Sequence, residues 1–216
     1  MNICPLCHSD NSALYCEHDT GTYRLCNKCA LVFVSSSEYL DAEAEKERYD
    51  LHTNSPEDEG YRNYLKKVLV PVCDRVGVGS FGLDFGSGPG PTLSKMFEES
   101  GYTMNIYDHF YAKDESVLEK KYDFITSTEV IEHLYDPFTV VNKLFNMLLS
   151  GGLLTFLTQP YPSQDEFGAW YYKNDPTHVC FFSLQTMQWL AKKYSATLEV
   201  IGKDLFLFRT KGEDGN

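Results

Sequence analysis

The sequence predicts an α/β protein built on an open, mostly parallel sheet, with a small cysteine-bearing module ahead of it. Three observations carry that expectation. The apolar run Phe81–Phe85 holds an acid, Asp84, and breaks into Gly86-Ser87-Gly88-Pro89-Gly90-Pro91 before an amphipathic stretch, the layout of strand, glycine turn and helix. Further strand-like runs at 102–107, 122–126 and 153–158 alternate with helical patterning, as a parallel sheet requires. Two Cys-x-x-Cys pairs, Cys4 with Cys7 and Cys26 with Cys29, stand near the start.

A chain of 216 residues has room for one full domain and a small module. Its hydrophobic content of 43%, with 14% aromatic residues, supports a substantial core. Lys and Arg number 19 against 31 Asp and Glu, and the net charge of -12 argues against holding nucleic acid through its phosphates. The first residues, Met1-Asn2-Ile3-Cys4-Pro5, lack the charged-then-apolar layout of an export signal, and no apolar run has the length to span a bilayer. A soluble, cytoplasmic protein without membrane contact is the expectation. Seven cysteines without an export signal are read as thiols or metal ligands rather than as a disulfide framework.

The first element is the module at 1–35. Its two cysteine pairs are separated by 18 residues, a spacing that suits four thiolates, Cys4, Cys7, Cys26 and Cys29, on one zinc ion. Between them, 13–17 and 22–25 flank Asp19-Thr20-Gly21 as a β-hairpin, and 31–34 supplies a third short strand. The piece resembles a zinc ribbon. Its metal would be structural and would provide most of the module's folding free energy. His8, Cys16 and His18 are read as non-ligands. A linker helix and arm follow at 36–54. Ser35-Ser36-Ser37-Glu38 has the form of a capping box opening a polar helix through Arg48.

The main domain is expected over 55–210. Ser55-Pro56-Glu57-Asp58 joins a cap, a first-turn proline and acids at the positive end of a helix, which Pro71 should kink or end. After the glycine turn, the strand at 102–107 ends in Asp108, 20 residues beyond Gly88, where an acid can accept hydrogen bonds from both hydroxyls of a ribose. The charged loop 109–121 is too short for a helix and a strand, so the third strand should be short or degenerate. Strand 122–126 leads into Ser127-Thr128-Glu129-Val130-Ile131-Glu132-His133; an amphipathic helix at 138–149 stops at Ser150-Gly151-Gly152; and 153–158 is a buried strand. The aromatic, proline-rich insertion 159–180 has a length that usually signals function. A helix from Ser183 to about Lys193 and two mutually antiparallel strands, 197–201 and 205–209, complete the domain. A frayed tail occupies 211–216.

The glycine spacing narrows the ligand. A dinucleotide fingerprint needs glycine at 91, where proline stands, and a Walker loop needs a lysine followed by Ser or Thr, which is missing. What remains, Asp84-x-Gly86-x-Gly88-x-Gly90 followed by Asp108, resembles the class I S-adenosylmethionine-dependent methyltransferases over roughly 55–210. The resemblance implies a Rossmann-like, seven-stranded sheet, mostly parallel with its last strand antiparallel. It implies that Gly86, Ser87, Gly88 and Gly90 pass under S-adenosylmethionine and that Asp84 helps place its amino-acid end. Asp108 would hold the ribose, with His109 beside it, and Thr128 and Glu129 would line the methionine end. The helix before the first strand would lie over the cofactor, so that Tyr49 and His52 face the site.

Glu129, Glu132 and His133 stand at i, i+3 and i+4, one face if the segment is helical. With His178 from the insertion they could hold a second divalent metal. Glu-x-x-Glu-His with a distant histidine is similar to the small-RNA 2′-O-methyltransferases of the Hen family, and related segments occur in ubiquinone-pathway O-methyltransferases. A metal there would bind a pair of acceptor oxygens and lower their pKa. The plainer alternative leaves Glu129 packed beside the cofactor and His133 as a local hydrogen-bonding residue. An oxygen or nitrogen acceptor must lose a proton, and histidine suits that task near neutrality. His178, after the aromatic stretch, is the first candidate base and His133 the second. The expected function is methyl transfer to oxygen or nitrogen, rather than carbon, of a small-molecule acceptor. Two others are kept: an inactive methyltransferase fold acting as an adaptor through its zinc ribbon, against which the intact Asp84, glycines and Asp108 count, and a metal-assisted RNA methyltransferase, which the acidic charge disfavours.

Overall fold

The computed structural model describes residues 3–51 and 55–212, and the strands found there fall into two sheets. The first starts with an antiparallel hairpin, β1 (Ser12–His18) and β2 (Gly21–Cys26), joined by β3 (Val32–Val34) on β2. The capping box read at Ser35 does not form. Glu38 turns back instead to accept from Thr22 N in the hairpin at 3.0 Å, Ser36–Glu38 is a single 3₁₀ turn, and the linker helix α1 (Ala42–Tyr49) starts under Asp41. The next helix, α2 (Glu59–Cys73), is likewise capped by Asp58 rather than Ser55, whose hydroxyl is bound to Glu57. Pro71 lies in its last turn, and the helix ends two residues later at Cys73.

The second sheet is built from β4 (Phe81–Phe85), β5 (Thr103–Tyr107), β6 (Tyr122–Thr128), β7 (Leu148–Leu157) and, beyond the insertion, β9 (Thr197–Ile201) and β10 (Leu205–Arg209). Its order is β5-β4-β6-β7-β10-β9, the first four parallel and β10 antiparallel to both its neighbours. This corrects the expected strand count from seven to six among the described residues. In the charged loop after β5, Phe110 and Tyr111 line a cavity, while Val117 and Leu118 are buried by a 3₁₀ turn, Glu115–Glu119, and Tyr122 Oη donates to Val117 O at 2.7 Å.

Two apolar layers cover the sheet, sorted by strand alternation. Leu83, Ile125, Phe206 and Phe208 point to one; Phe124, Leu205 and Leu207 point to the other, with α2 and α3 (Thr92–Glu99). Each fully buried phenyl contributes about 1.5–3 kcal/mol. The helices α4 (Pro137–Met147) and α6 (Leu184–Lys193) cover the first face, the latter closed by a Ser183–Thr186 capping box.

The insertion holds a short helix, α5 (Gln164–Phe167), and a 3₁₀ turn, Tyr171–Asn174, and then returns to the cysteine module. Its strand β8 (Cys180–Phe181) pairs antiparallel with β3 and makes the first sheet four-stranded, a partner the sequence does not announce. The Ala30 carbonyl, just after Cys29, accepts from Thr186 Oγ1 at 2.7 Å, Tyr161 Oη at 2.8 Å and Ser183 Oγ at 3.4 Å. Tyr15 Oη donates to Pro162 O and Tyr23 Oη to Lys173 O. Module and insertion thus form one packed unit. At the other end, Lys211 O accepts from Gly151 N at 3.1 Å; residues 213–216 lie outside the described residues.

Candidate active site

A cavity of about 580 Å³ opens at the carboxyl ends of β4, β5 and β6, where ligands of open α/β sheets bind. That volume suits a small-molecule site. On one side the glycine turn forms its floor. Gly86 has φ +80°, and a Cβ there would lie 2.3 Å from Val130 Cγ2, so only glycine fits. The Asp108 carboxylate accepts from Gly88 N at 2.9 Å on one oxygen, and from Phe110 N at 2.9 Å and Tyr111 N at 3.1 Å on the other. It thereby ties the glycine turn to the loop after β5 and faces the cavity. Ser87 Oγ and Thr128 Oγ1 are buried in the cavity wall without a hydrogen-bond partner from the described residues. Unpaired buried hydroxyls are costly unless a ligand meets them. Gly86, Ser87, Gly88, Asp108, His109, Thr128 and Glu129 all line the cavity, a donor set that fits a ribose and a zwitterionic amino-acid end.

Asp84 and Gly90 do not line it, contrary to the sequence reading. Asp84 is buried beneath the turn, where it accepts from Ser94 Oγ of α3 at 3.2 Å and Thr126 Oγ1 of β6 at 2.9 Å. Burial pushes its carboxyl up to about 6, against those two hydroxyls. Gly90 serves through its carbonyl, which accepts from Thr92 N at 2.7 Å to open α3. Both residues support the floor from outside the cavity lining.

The segment after β6 also departs from the helical face expected of Glu129, Glu132 and His133. Glu129 takes a left-handed φ of 52°, and the helix beyond it is a single 3₁₀ turn, Ile131–His133. The Glu129 carboxylate accepts from Tyr64 Oη at 2.9 Å and Tyr172 Oη at 2.7 Å. Tyr172 Oη also lies 2.5 Å from Oε1 of Glu132, which is fully buried. Burial first, then the charge of Glu129, push the Glu132 carboxyl up to about 8, so it is a neutral acid near pH 7.

The two histidines meet on the far side of the cavity, ring centroids 4.5 Å apart. His133 Nδ1 lies 3.2 Å from Thr177 O and His178 Nδ1 lies 2.6 Å from Tyr172 O. A carbonyl only accepts, so both rings carry a proton on Nδ1 and present Nε2 as the basic atom. Burial pulls the His178 pKa below its ordinary value and keeps the ring neutral. Ligand atoms of Glu132, His133 and His178 lie within 4.8 Å of one another. Glu129, expected as a fourth member, stands outside that group because two tyrosyl hydroxyls hold it.

The remaining walls come from α1, α2 and loops, and of these the sequence reading puts Tyr49 and the helix before the first strand at the site. Glu45 and Tyr49 come from α1, Tyr61 and Tyr64 from α2, and Tyr111 and Asp175 from loops. The Tyr49 ring lies 5.3 Å from His133, and an Arg48–Asp175 ion pair at 2.8 Å fastens α1 to the insertion. Within α2, Tyr61 and Tyr64, one helical turn apart, stack on each other. His52 lies outside the described residues.

In the amino-terminal module the four thiols of Cys4, Cys7, Cys26 and Cys29 converge, all within 4.8 Å, with closest pairs of 3.5 Å and 3.4 Å. A tetrahedron with Zn–S of about 2.3 Å has its sulfurs about 3.8 Å apart. His8 and Ala30, immediately after each pair, both take a left-handed φ, 55° and 56°, so the two knuckles have the same shape. The cluster fits a closed zinc site; Cys16, His8 and His18 are not part of it.

A family model described as "Methyltransferase domain" matches residues 60–199. The chain belongs to the class I S-adenosylmethionine-dependent methyltransferases. It is 27% identical over 95 residues to a ubiquinone biosynthesis O-methyltransferase of Actinobacillus pleuropneumoniae serotype 7, a match covering 42% of this chain and 41% of that protein, so the chain spans about two fifths of that relative's length. Among solved structures it is similar to magnesium protoporphyrin IX methyltransferase from Synechocystis PCC 6803 with bound SAH, with a TM-score of 0.55, 12% identity, and coverage of 81% of this chain and 97% of that one. It is also similar to an O-methyltransferase family protein from Burkholderia thailandensis, with a TM-score of 0.51, 13% identity, and coverage of 79% and 64%. At such identities these likenesses are of fold. Among the described residues no helix is long and apolar enough to cross a membrane.

Proposed function

We propose that the chain transfers the methyl group of S-adenosylmethionine to an oxygen or nitrogen of a small-molecule acceptor. One observation carries the reading: a single cavity runs from the Gly86–Asp108 floor, with its unpaired Ser87 and Thr128 hydroxyls, to the side chains of His178 and His133. The bound donor supplies a methyl group on a sulfonium, whose C–S electrons stay on sulfur when the acceptor's lone pair takes the carbon. The protein's own part is to hold both molecules in line, which accounts for about 7–11 kcal/mol of barrier lowering. The acceptor's proton goes to Nε2 of His178, with His133 beside it as relay. Glu129, locked by Tyr64 and Tyr172, supports the amino-acid end of the donor.

In the same proposal, Cys4, Cys7, Cys26 and Cys29 hold a structural zinc ion that keeps the module folded against the insertion. A second reading of the histidine pair has a divalent ion on Glu132, His133 and His178, favoured by the closeness of their ligand atoms. Metal analysis separates the two: a second equivalent lost from His178→Ala supports the ion, and one zinc per chain removes it. The RNA version of that reading meets a cavity with no Lys or Arg in its described lining. The adaptor version leaves the unpaired hydroxyls of the donor floor without a purpose.

Calorimetric titration with S-adenosylhomocysteine tests the reading. Binding by the wild-type chain, weakened at least tenfold in Asp108→Ala, is expected. Folded protein that does not bind it overturns the proposal.

A further inference from the structure

On the reading that this is a methyltransferase site, the chemistry of the acceptor side of the cavity narrows what it takes. The walls there are Glu45 and Tyr49 of α1, Phe110, Tyr135 and the two histidines. No Lys or Arg appears in the described lining, and residues 52–54, which follow α1, are His, Thr and Asn. The cations nearby are occupied elsewhere: Arg48 pairs with Asp175 at 2.8 Å, and Lys46, over the Tyr111 ring at 5.7 Å, pairs with Asp50 at 2.7 Å.

Among the described residues, four carboxylates line the cavity. Asp108 is held by three backbone N–H groups, Glu129 by two tyrosyl hydroxyls and Asp175 by Arg48. Glu45, half-buried on α1, is met by the hydroxyls of Tyr49, at 3.4 Å, and Tyr135, neutral groups that carry no compensating charge. A carboxylate or phosphate entering here would lose water, meet no cation and face Glu45. An aromatic ring would instead find the faces and edges of Tyr49, Phe110 and Tyr135, and an ammonium would find those faces and the Glu45 carboxylate.

We infer that the acceptor is a flat aromatic phenol or amine, uncharged or bearing a basic arm, and that Glu45 selects for that charge. Acceptors that carry carboxylate or phosphate are excluded. The reaction balances as above: the phenol or amine gives its proton to His178 Nε2 as the bond to carbon forms.

Tyramine and 3-(4-hydroxyphenyl)propionate share a ring and a phenol and differ in the charge at the end of a similar arm. Each is titrated calorimetrically into the full chain saturated with S-adenosylhomocysteine. Tyramine should bind at least tenfold more tightly. That ratio should shrink in Glu45→Gln and approach one or invert in Glu45→Lys, with S-adenosylhomocysteine affinity reporting that each variant keeps its donor site. Equal or tighter binding of the propionate by the wild-type chain overturns the inference, as does binding of neither compound. Failure of S-adenosylhomocysteine itself to bind removes the underlying methyltransferase reading instead.

Discussion

Asp84 is a carboxyl group whose charge the fold disfavours. Its folded pKa, raised to about 6 by burial, lies above the ordinary 3.8. Below the lower value both folded and unfolded chains hold the proton and nothing is lost. Between the two values unfolding releases a proton, so stability falls as pH rises, and above the upper value the penalty is constant at about 2–3 kcal/mol. Asp84→Asn should not share that fall. Its stability relative to wild type should rise by about 2–3 kcal/mol between pH 4 and pH 7, read from urea midpoints. A difference that stays flat with pH would show that Asp84 is not the titrating group. The sequence made the acid visible as an anomaly in an apolar strand, but its partners Ser94 and Thr126 come from other elements, so its place beneath the turn was not legible. Asp108 was legible because its role depends on an interval along the chain. Gly86→Ala should cost roughly 2–4 kcal/mol, since strain at φ +80° adds to the clash with Val130. Gly88→Ala, with φ +66° and open space around it, should cost only about 1–2 kcal/mol, and paired denaturation curves measure the contrast.

The elements divide by how their boundaries are determined. The hairpin of β1 and β2 and the strands β4 to β6 are written in local alternation and turn residues, and they form where the sequence puts them to within a few residues, whereas β7 starts at Leu148 and takes in Ser150-Gly151-Gly152, read in the sequence as a helix stop. The linker helix start was not legible, because Ser35 to Glu38 satisfies the capping pattern while Glu38 is claimed by Thr22 across space. The strand β8 was hidden because two residues carry no periodicity. Its pairing gives the cysteine cluster a job beyond its own module. Stripping the proposed zinc with a chelator, or Cys26→Ser, should raise amide hydrogen exchange at least tenfold in β3 and in β8. Unchanged protection of β8 would separate the insertion from the cluster.

For the molecule as a whole, ligand binding and charge give two checks. S-adenosylhomocysteine at about 100 times its dissociation constant adds ~2.7 kcal/mol, which for a chain of this size raises the melting temperature by roughly 5–10 °C. With a net charge of -12, the chain should show no salt-dependent retention on immobilised RNA at moderate ionic strength. Retention that falls steeply with added salt would revive the RNA reading. The six-stranded sheet was legible except that a seventh strand was expected, and the cavity was legible on its donor side and, on the acceptor side, only at Tyr49, His133 and His178. The acceptor side is assembled from α1, α2 and the insertion, which meet only in three dimensions.

That meeting also sets an order of events. Tyr23 of β2 and Lys173 of the insertion, joined by a hydrogen bond, are 150 residues apart along the chain. The cysteine strands are made first and emerge with one edge of β3 bare, because the strand that covers it is synthesised after nearly all of the parallel sheet. Closing so long a loop adds little free energy compared with a shorter one, but it delays the contact. The amino-terminal module is therefore completed late in folding, and the active site with it.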